Sequence, residues 1–164
     1  MSDITVRLGG QSMDITRGTL YAVYVLIYFH MRPRGYVADL RTIAETLEVP
    51  DSYLSKVLQQ LHKSGLLVSV MGSKGGYRLS RDVSGTTMRD VMHVLQGESL
   101  IQQCLLGEFD CSRFRKCSVL KHVREIQMVV DQMLDRLTIS QLASEMGFTE
   151  EQQKALDQIS LGVQ

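Results

Sequence analysis

The order of predicted elements between residues 39 and 79 restricts the fold of this chain more than any other sequence feature. Asp39 is a favourable N-cap for a short amphipathic helix that ends near Val49. The break at residues 50–52 carries its own cap and opens another short helix, which ends at Gly65, a residue type common at helix C-termini. Two short apolar runs then flank a glycine-rich tip and predict a β-hairpin. Two short helices followed by a hairpin indicate a winged helix-turn-helix.

Charge is unevenly distributed along the chain. The sequence has 18 acidic and 18 basic residues, yet residues 52–81 contain no Asp or Glu. The positive charges of this stretch come from Lys56, Lys63, Lys74, Arg78 and Arg81. A neutral protein with one uniformly basic segment has a local anion-binding face.

The helix before Gly65 has one apolar side and one polar side. Its inward residues recur at helical spacing, and they are Leu54, Val57, Leu58 and Leu61. Its outward residues are Ser52, Ser55, Lys56, Gln59 and Lys63, and the hairpin tip adds Ser73 and Lys74. Such a helix can lie in the major groove of DNA while the tip approaches a phosphate or the minor groove. A polar helix face is often only solvated, but the element order, the absence of acid and the basic hairpin together favour DNA binding.

Helices are predicted on both sides of this core unit. A first helix is expected from about Thr16 to Met31, and another after Thr86 or Thr87 that ends at Gly97. From 118 to 137 apolar residues alternate spacings of four and three, as in the seam of a coiled coil: Val119, Val123, Ile126, Val130, Met133 and Leu137. The pattern after Thr149 predicts a short terminal helix.

The three cysteines lie close together, at Cys104, Cys111 and Cys117. Their segment lacks a clean period and is predicted to be a loop, so that three thiolates could converge on one iron–sulfur cluster. Arg113, Arg115 and Lys116 would favour the thiolate form. Two alternatives remain: three buried free thiols, or a zinc site in which His122 is the fourth ligand. Structural zinc usually uses a tight cysteine pair, which this segment does not have.

Several classes of protein are disfavoured. The longest apolar run is far shorter than the roughly 20 residues that a transmembrane helix needs. We find no signal peptide, so a cytoplasmic protein is expected. No phosphate-binding glycine loop and no nucleophile motif are present, so we do not expect an enzyme.

These motifs, taken in order, resemble the IscR/NsrR family of winged-helix iron–sulfur regulators. The resemblance covers roughly residues 13–142. It rests on Thr16 with Tyr21-Ala22-Val23, Asp39-Leu40 with Ile43-Ala44, Ser52-Tyr53-Leu54, Lys63-Ser64-Gly65-Leu66, Gly75-Gly76-Tyr77-Arg78-Leu79 and the cysteine loop. Two positions depart from the family. Met71 replaces the arginine that often precedes the wing glycine, and Ser55 replaces a base-reading glutamate.

The resemblance implies a homodimer in which the helix at 118–137 joins the subunits and a cluster controls DNA binding. It adds Tyr53 to the DNA-contacting residues, which are then Ser52, Tyr53, Ser55, Lys56, Gln59, Lys63, Ser73 and Lys74. It also implies that Cys104, Cys111 and Cys117 ligate the cluster. The histidine and the aspartate that complete related sites are replaced here by Leu120 and Leu20. We therefore expect [4Fe–4S] with a weak or non-cysteine fourth position, for which His122 is the possible ligand, because a four-iron cluster tolerates an open iron better than a two-iron cluster does. The alternative is [2Fe–2S] with His122 as the fourth ligand.

The resulting prediction is a mainly α protein with a small β-hairpin wing and a long dimerisation helix. Its parts are an N-terminal arm (1–12), the winged helix-turn-helix (13–85), a linking helix with the cysteine loop (86–117), and the dimerisation helix with a C-terminal extension (118–164). The expected function is a dimeric, cytoplasmic transcriptional repressor that binds a double-stranded operator under control of the cluster. The alternative is a winged-helix regulator without a cluster, which senses by thiol oxidation or binds zinc.

Overall fold

Helix α1 (Arg17–His30) lies at the centre of the fold, in a computed structural model that describes residues 5–8, 11–72, 75–97 and 118–145. Its bounds confirm the predicted first helix. The Thr16 side chain caps it by accepting a hydrogen bond from the backbone N–H of Thr19. Nearly the whole second half of α1 is buried, including Val25, Leu26 and Ile27, which have no exposed surface. Four of the other described helices pack around α1.

Helices α2 (Leu40–Leu47) and α3 (Asp51–Lys63) form the predicted helix pair. Asp39 caps α2 through a 2.7 Å hydrogen bond from the N–H of Thr42 to its carboxylate, as expected. The prediction of a side-chain cap for α3 was wrong: Pro50 occupies the N-cap position and has no side-chain acceptor. Its carbonyl oxygen instead accepts hydrogen bonds from the N–H groups of Tyr53 and Leu54.

The wing is an antiparallel hairpin of β3 (Leu67–Val70) and β4 (Gly76–Leu79). Leu67 pairs with Leu79, and Val70 pairs with Gly76. A bridge between Ala38 and Tyr77 ties the hairpin to the segment before α2. Gly76 is required there, because a Cβ at this position would collide with the carbonyl oxygen of Ala38. Gly65, with φ of 75°, ends α3 as predicted.

The C-terminal part contains α4 (Met88–Gln96), α5 (Ser118–Arg136) and α6 (Ile139–Glu145). Thr87 and Asp90 form a capping box at the start of α4. Helix α6 was not predicted, although Thr138 and Gln141 are spaced as a capping box and bond to each other's backbone N–H groups. The backbone at the α5–α6 junction is hydrogen-bonded to the start of α4, where the N–H of Met88 donates to the carbonyl of Leu137 at 2.7 Å.

Residues near the N-terminus, for which only a loose arm was predicted, contain a second hairpin. Strands β1 (Thr5–Leu8) and β2 (Gln11–Asp14) pair antiparallel, with Thr5 opposite Asp14 and Leu8 opposite Gln11. The glycine pair between these strands is the sequence signal that could have predicted the turn.

Two predicted segments lie outside the described residues: the cysteine loop, and the terminal helix after Thr149. Within the described part of the chain, no helix is long and apolar enough to cross a membrane. The same part holds no group of three His, Cys, Asp or Glu side chains placed to bind a metal ion.

Candidate nucleic-acid interface

Helix α3 has a buried side and an exposed side, as the sequence predicted. Leu54, Val57, Leu58 and Leu61 are buried against the core. The exposed side carries Ser52, Tyr53, Lys56, Gln59 and Lys63, with Ser55 partly buried. This side has no acidic residue after Asp51, which lies in the first turn of the helix. The structure thus brings six of the predicted DNA-contacting residues together on one helix.

A shallow groove of about 420 Å³ runs along this exposed side. The predicted residues that line it are Tyr53, Lys56, Gln59 and Lys63. The ring of Tyr53 contacts Tyr21 of α1 edge to face, with centroids 5.4 Å apart and planes at 84°. That contact fixes the aromatic ring at the rim of the groove while leaving it 40% exposed.

Two groove residues were missed by sequence reasoning, Gln60 and Gly18. Gln60 follows Lys56 by one helical turn, a spacing that could have placed it on the same side. Gly18 belongs to the first turn of α1, where no acidic residue is present. The N-terminus of a helix carries free N–H groups and a partial positive charge, so this end of α1 adds an anion-attracting element beside α3.

The described part of the wing tip is exposed. Met71 is 93% exposed there, at the position where the resembling family often has arginine. Ser73 and Lys74 lie outside the described residues, so their predicted role stays a prediction. The described part of the tip therefore presents an apolar side chain beside Gly72.

Helix α5 is anchored to the rest of the molecule near its C-terminal end. Arg89 of α4 donates hydrogen bonds to the carboxylate of Asp131, at 2.9 Å, and to that of Asp135. Both bonds raise the pKa of Arg89, and the bond with Asp135 contributes most. Leu134 is buried, and Val130 and Leu137 pack against the core.

The predicted coiled-coil seam is divided between two environments. Val130 and Leu137 face the protein's own core, whereas Ile126 and Met133 are 54% and 60% exposed. Val129, which was not assigned to the seam, is 66% exposed and lies on the same helix face as these two residues, at i, i+3 and i+7 spacing. This apolar stripe of Ile126, Val129 and Met133 is unpaired within the described part of the chain.

The candidate fourth ligand, His122, is exposed near the start of α5. Its Nδ1 lies 3.2 Å from a carboxylate oxygen of Glu125. When Nδ1 carries the proton of that contact, Nε2 remains available as a donor to a metal. Cys117 directly precedes α5 in sequence and lies, like Cys104 and Cys111, outside the described residues.

Several known proteins similar to this chain are transcriptional regulators. Residues 15–145 match the model of the Rrf2 family, described as an iron-dependent transcriptional regulator. The regulator NsrR of Oceanobacillus iheyensis is 29% identical over 112 residues, which is 68% of this chain and 76% of that protein.

Solved structures share the same fold. CymR, the global cysteine regulator of B. subtilis, superimposes with a TM-score of 0.64 at 25% identity, over 80% of this chain and 97% of CymR. IscR of T. potens gives a TM-score of 0.56 at 26% identity, over 80% of this chain and 86% of IscR. The predicted winged-helix fold, the resemblance to IscR and NsrR, and the expectation of a regulator rather than an enzyme are confirmed. This chain belongs to the Rrf2 family of transcriptional regulators.

Proposed function

We propose that this regulator binds double-stranded operator DNA with the exposed side of α3 and with the wing. The observation that carries the proposal is the exposed polar side of α3, which has no acidic residue after Asp51 and whose opposite side is buried in the core. A major groove accepts an α-helix whose outer side chains can donate hydrogen bonds to base edges and phosphates. The N-terminus of α1 lies beside the same surface and favours a phosphate.

The side chains divide into two kinds of contact. Lys56 and Lys63 are exposed cations suited to phosphates, which supply affinity without sequence information. Ser55 and Gln59 are uncharged donors and acceptors suited to base edges. Ser52, Tyr53, Ser73 and Lys74 complete the proposed contact set. Substitution of Ser55 is therefore expected to change which sequence is preferred.

Salt dependence of DNA binding tests this surface. Lys56→Ala and Lys74→Ala should each weaken binding and flatten the plot of log affinity against log salt by about one unit, because each removes one phosphate contact. Lys121→Ala on α5 is the matched control, an exposed lysine away from α3, and should leave the slope unchanged. Unchanged affinity and slope in both test variants would show that the DNA-binding surface lies elsewhere.

We further propose a homodimer formed through α5. The apolar stripe of Ile126, Val129 and Met133 is exposed although Arg89 and Leu134 hold the helix in place. A two-fold partner that presents the same stripe would bury it, since an isologous interface uses one patch twice. Such a dimer would present two α3 helices to the two halves of an operator.

We propose that Cys104, Cys111 and Cys117 hold an iron–sulfur cluster that controls repressor activity. Three thiolates form the soft donor set that iron–sulfur clusters require, and the family model is described as iron-dependent. A bound cluster would supply a redox-labile group next to the start of α5. We favour [4Fe–4S] with a non-cysteine fourth position, and His122 is the candidate that this chain offers for it through Nε2.

Anaerobic purification tests the cluster. The visible absorption of the protein should show bound iron and sulfide, and the Mössbauer spectrum should be that of a four-iron cluster. Serine at any one of the three cysteines should abolish the absorption, whereas His122→Ala should alter its stability but not the iron count. A colourless protein that stays colourless after reconstitution with iron and sulfide would favour thiol oxidation or zinc instead. A two-iron spectrum that collapses in His122→Ala would contradict our assignment.

A further inference from the structure

A second concave surface lies away from α3, at the base of the wing. It is a cleft of about 490 Å³ between the turn that joins α1 to α2 and the C-terminal end of β4. Basic residues dominate its walls: His30, Arg32, Arg34, Arg78 and Arg81. The cleft shares no residue with the groove along α3.

Arg32 is the unusual member of this cluster because it is only 8% exposed. Its guanidinium carbon lies 3.3 Å from the centre of the Tyr28 ring and 5.3 Å from that of Tyr36. Nη1 donates to the carbonyl oxygen of Tyr28, and the Tyr36 side chain also interacts with the guanidinium, but Nη2 itself is buried and has no hydrogen-bond partner among the described residues. A buried cation with an unused donor is costly unless an acceptor or a counter-charge is supplied.

No neighbouring group neutralises Arg32. Burial raises the pKa of Tyr28, so this phenol stays protonated and contributes no negative charge. Burial lowers the pKa of Arg32 itself, although a guanidinium remains charged at neutral pH. No carboxylate forms an ion pair with Arg32 in the described part of the chain.

The other charged side chains around the cleft add to its excess of positive charge. Arg34 and Arg81 are exposed at its rim, and Arg78 uses Nη1 for a 3.2 Å bond to the carbonyl of Leu79. Asp82 is the one carboxylate in the lining. It accepts a 2.8 Å bond from the N–H of Ser84, and this bond, with His30 and Arg34 nearby, lowers the pKa of Asp82. Four arginines thus converge on a cleft with one acid.

We propose that this cleft binds a small oxyanion, the carboxylate or phosphate group of a low-molecular-weight ligand. An oxyanion would supply the counter-charge that Arg32 lacks, and guanidinium groups match the geometry of both anions. Aromatic support would come from Tyr36, which also lines the cleft. Because β4 is a strand of the wing, a bound ligand would contact the DNA-binding unit directly.

Nuclear magnetic resonance of the full chain without DNA tests the site. Inorganic phosphate and citrate are titrated separately at constant ionic strength, with chloride as the reference. Either oxyanion should cause saturable shifts of the arginine Nε–H signals and of amides at 32–36 and 78–82. Arg78→Gln combined with Arg81→Gln should weaken the affinity about tenfold, since two charge-assisted contacts are lost. These two residues are partly or fully exposed, so the fold should survive.

Arg136→Gln, at the end of α5, is the control and should bind as the parent protein does. A phosphate-only or citrate-only response identifies which oxyanion the cleft prefers. Shifts that rise linearly without saturation, or an affinity unchanged in the double variant, would overturn the proposal. So would shifts produced by a DNA duplex but by neither small ion, which would make the cleft a contact for the DNA backbone. Failure of the α3 surface to bind DNA would leave this titration unaffected.

Discussion

Helices α1 and α5 are both long, and both carry apolar residues at helical spacing, but they differ in what covers those residues. Val25, Leu26 and Ile27 of α1 have no exposed surface, because α2, α3, α4 and α6 pack around this helix. Ile126, Val129 and Met133 of α5 are more than half exposed. Within the described residues the chain thus completes its winged-helix core by itself, and the proposed dimer is what would cover the apolar stripe of α5.

The largest expected effect concerns α1. Leu26→Ala should lower the free energy of unfolding by about 2–5 kcal/mol, because it leaves a cavity in a fully packed core. Leu20→Ala, on the same helix but at a partly exposed position, is the control and should cost clearly less. Urea denaturation followed by circular dichroism measures both. Equal losses would mean that α1 is not the centre of the core.

A change on α5 should instead act on assembly. Ile126→Glu should weaken the dimer by roughly 100-fold, because it places an unpaired charge in the proposed interface. The fold of the single subunit should persist, since Ile126 is already 54% exposed there. Met128→Glu adds the same charge at an exposed position off the apolar stripe and should leave the dimer intact. If sedimentation velocity shows a dimer for both variants, α5 does not form the interface.

The smallest expected effect is a pH dependence confined to the winged-helix unit. Hydrogen bonds from Thr42 at the start of α2 lower the pKa of Asp39. The pKa of Asp39 in the folded state thus lies below the ordinary aspartate value of 3.8. As the pH falls toward and below 3.8, the unfolded state therefore binds more protons than the folded state does. Stability contributed by this cap, less than about 1 kcal/mol, is present above that value and is lost as the pH falls through the folded pKa.

Asp39→Asn separates capping from titration, because asparagine caps a helix but does not ionise. Denaturation midpoints between pH 5 and pH 2, about the range over which a depressed carboxylate titrates, should fall less steeply in this variant than in the parent protein. An identical pH profile in the two proteins would show that Asp39 contributes nothing to acid sensitivity.

Local signals predicted the winged-helix unit well. The start of α1 near Thr16 and the caps at Asp39 and Thr87 are determined by residues close in sequence, so they could be predicted directly. The same holds for the inward spacing on α3, at Leu54, Val57, Leu58 and Leu61. The α3 cap failed because proline and aspartate both favour a helix start, and the sequence does not say which residue takes the N-cap position.

Features that depend on distant packing were harder to predict. The periodic residues of α5 indicated one seam, but contact with α4 and with the core turns Val130 and Leu137 inward and leaves Ile126 and Met133 outside. Gly18 joins the α3 groove only because α1 crosses near Tyr53. The cleft around Arg32 combines residues 29–36 with residues 78–82, and no spacing within either segment predicts that the two come together.

Selection of binding sites from a random pool of double-stranded DNA tests whether two α3 helices of a dimer bind one operator. We expect enrichment of an inverted repeat whose half-sites are about one helical turn apart or a multiple of it, because a two-fold dimer presents one α3 helix to each half. Enrichment should be reduced by Lys56→Ala, and Ile126→Glu should remove the repeat while leaving weak half-site binding. A pool in which no sequence rises above the unbound background, or in which a single unrepeated site is enriched by the parent protein, would contradict the account.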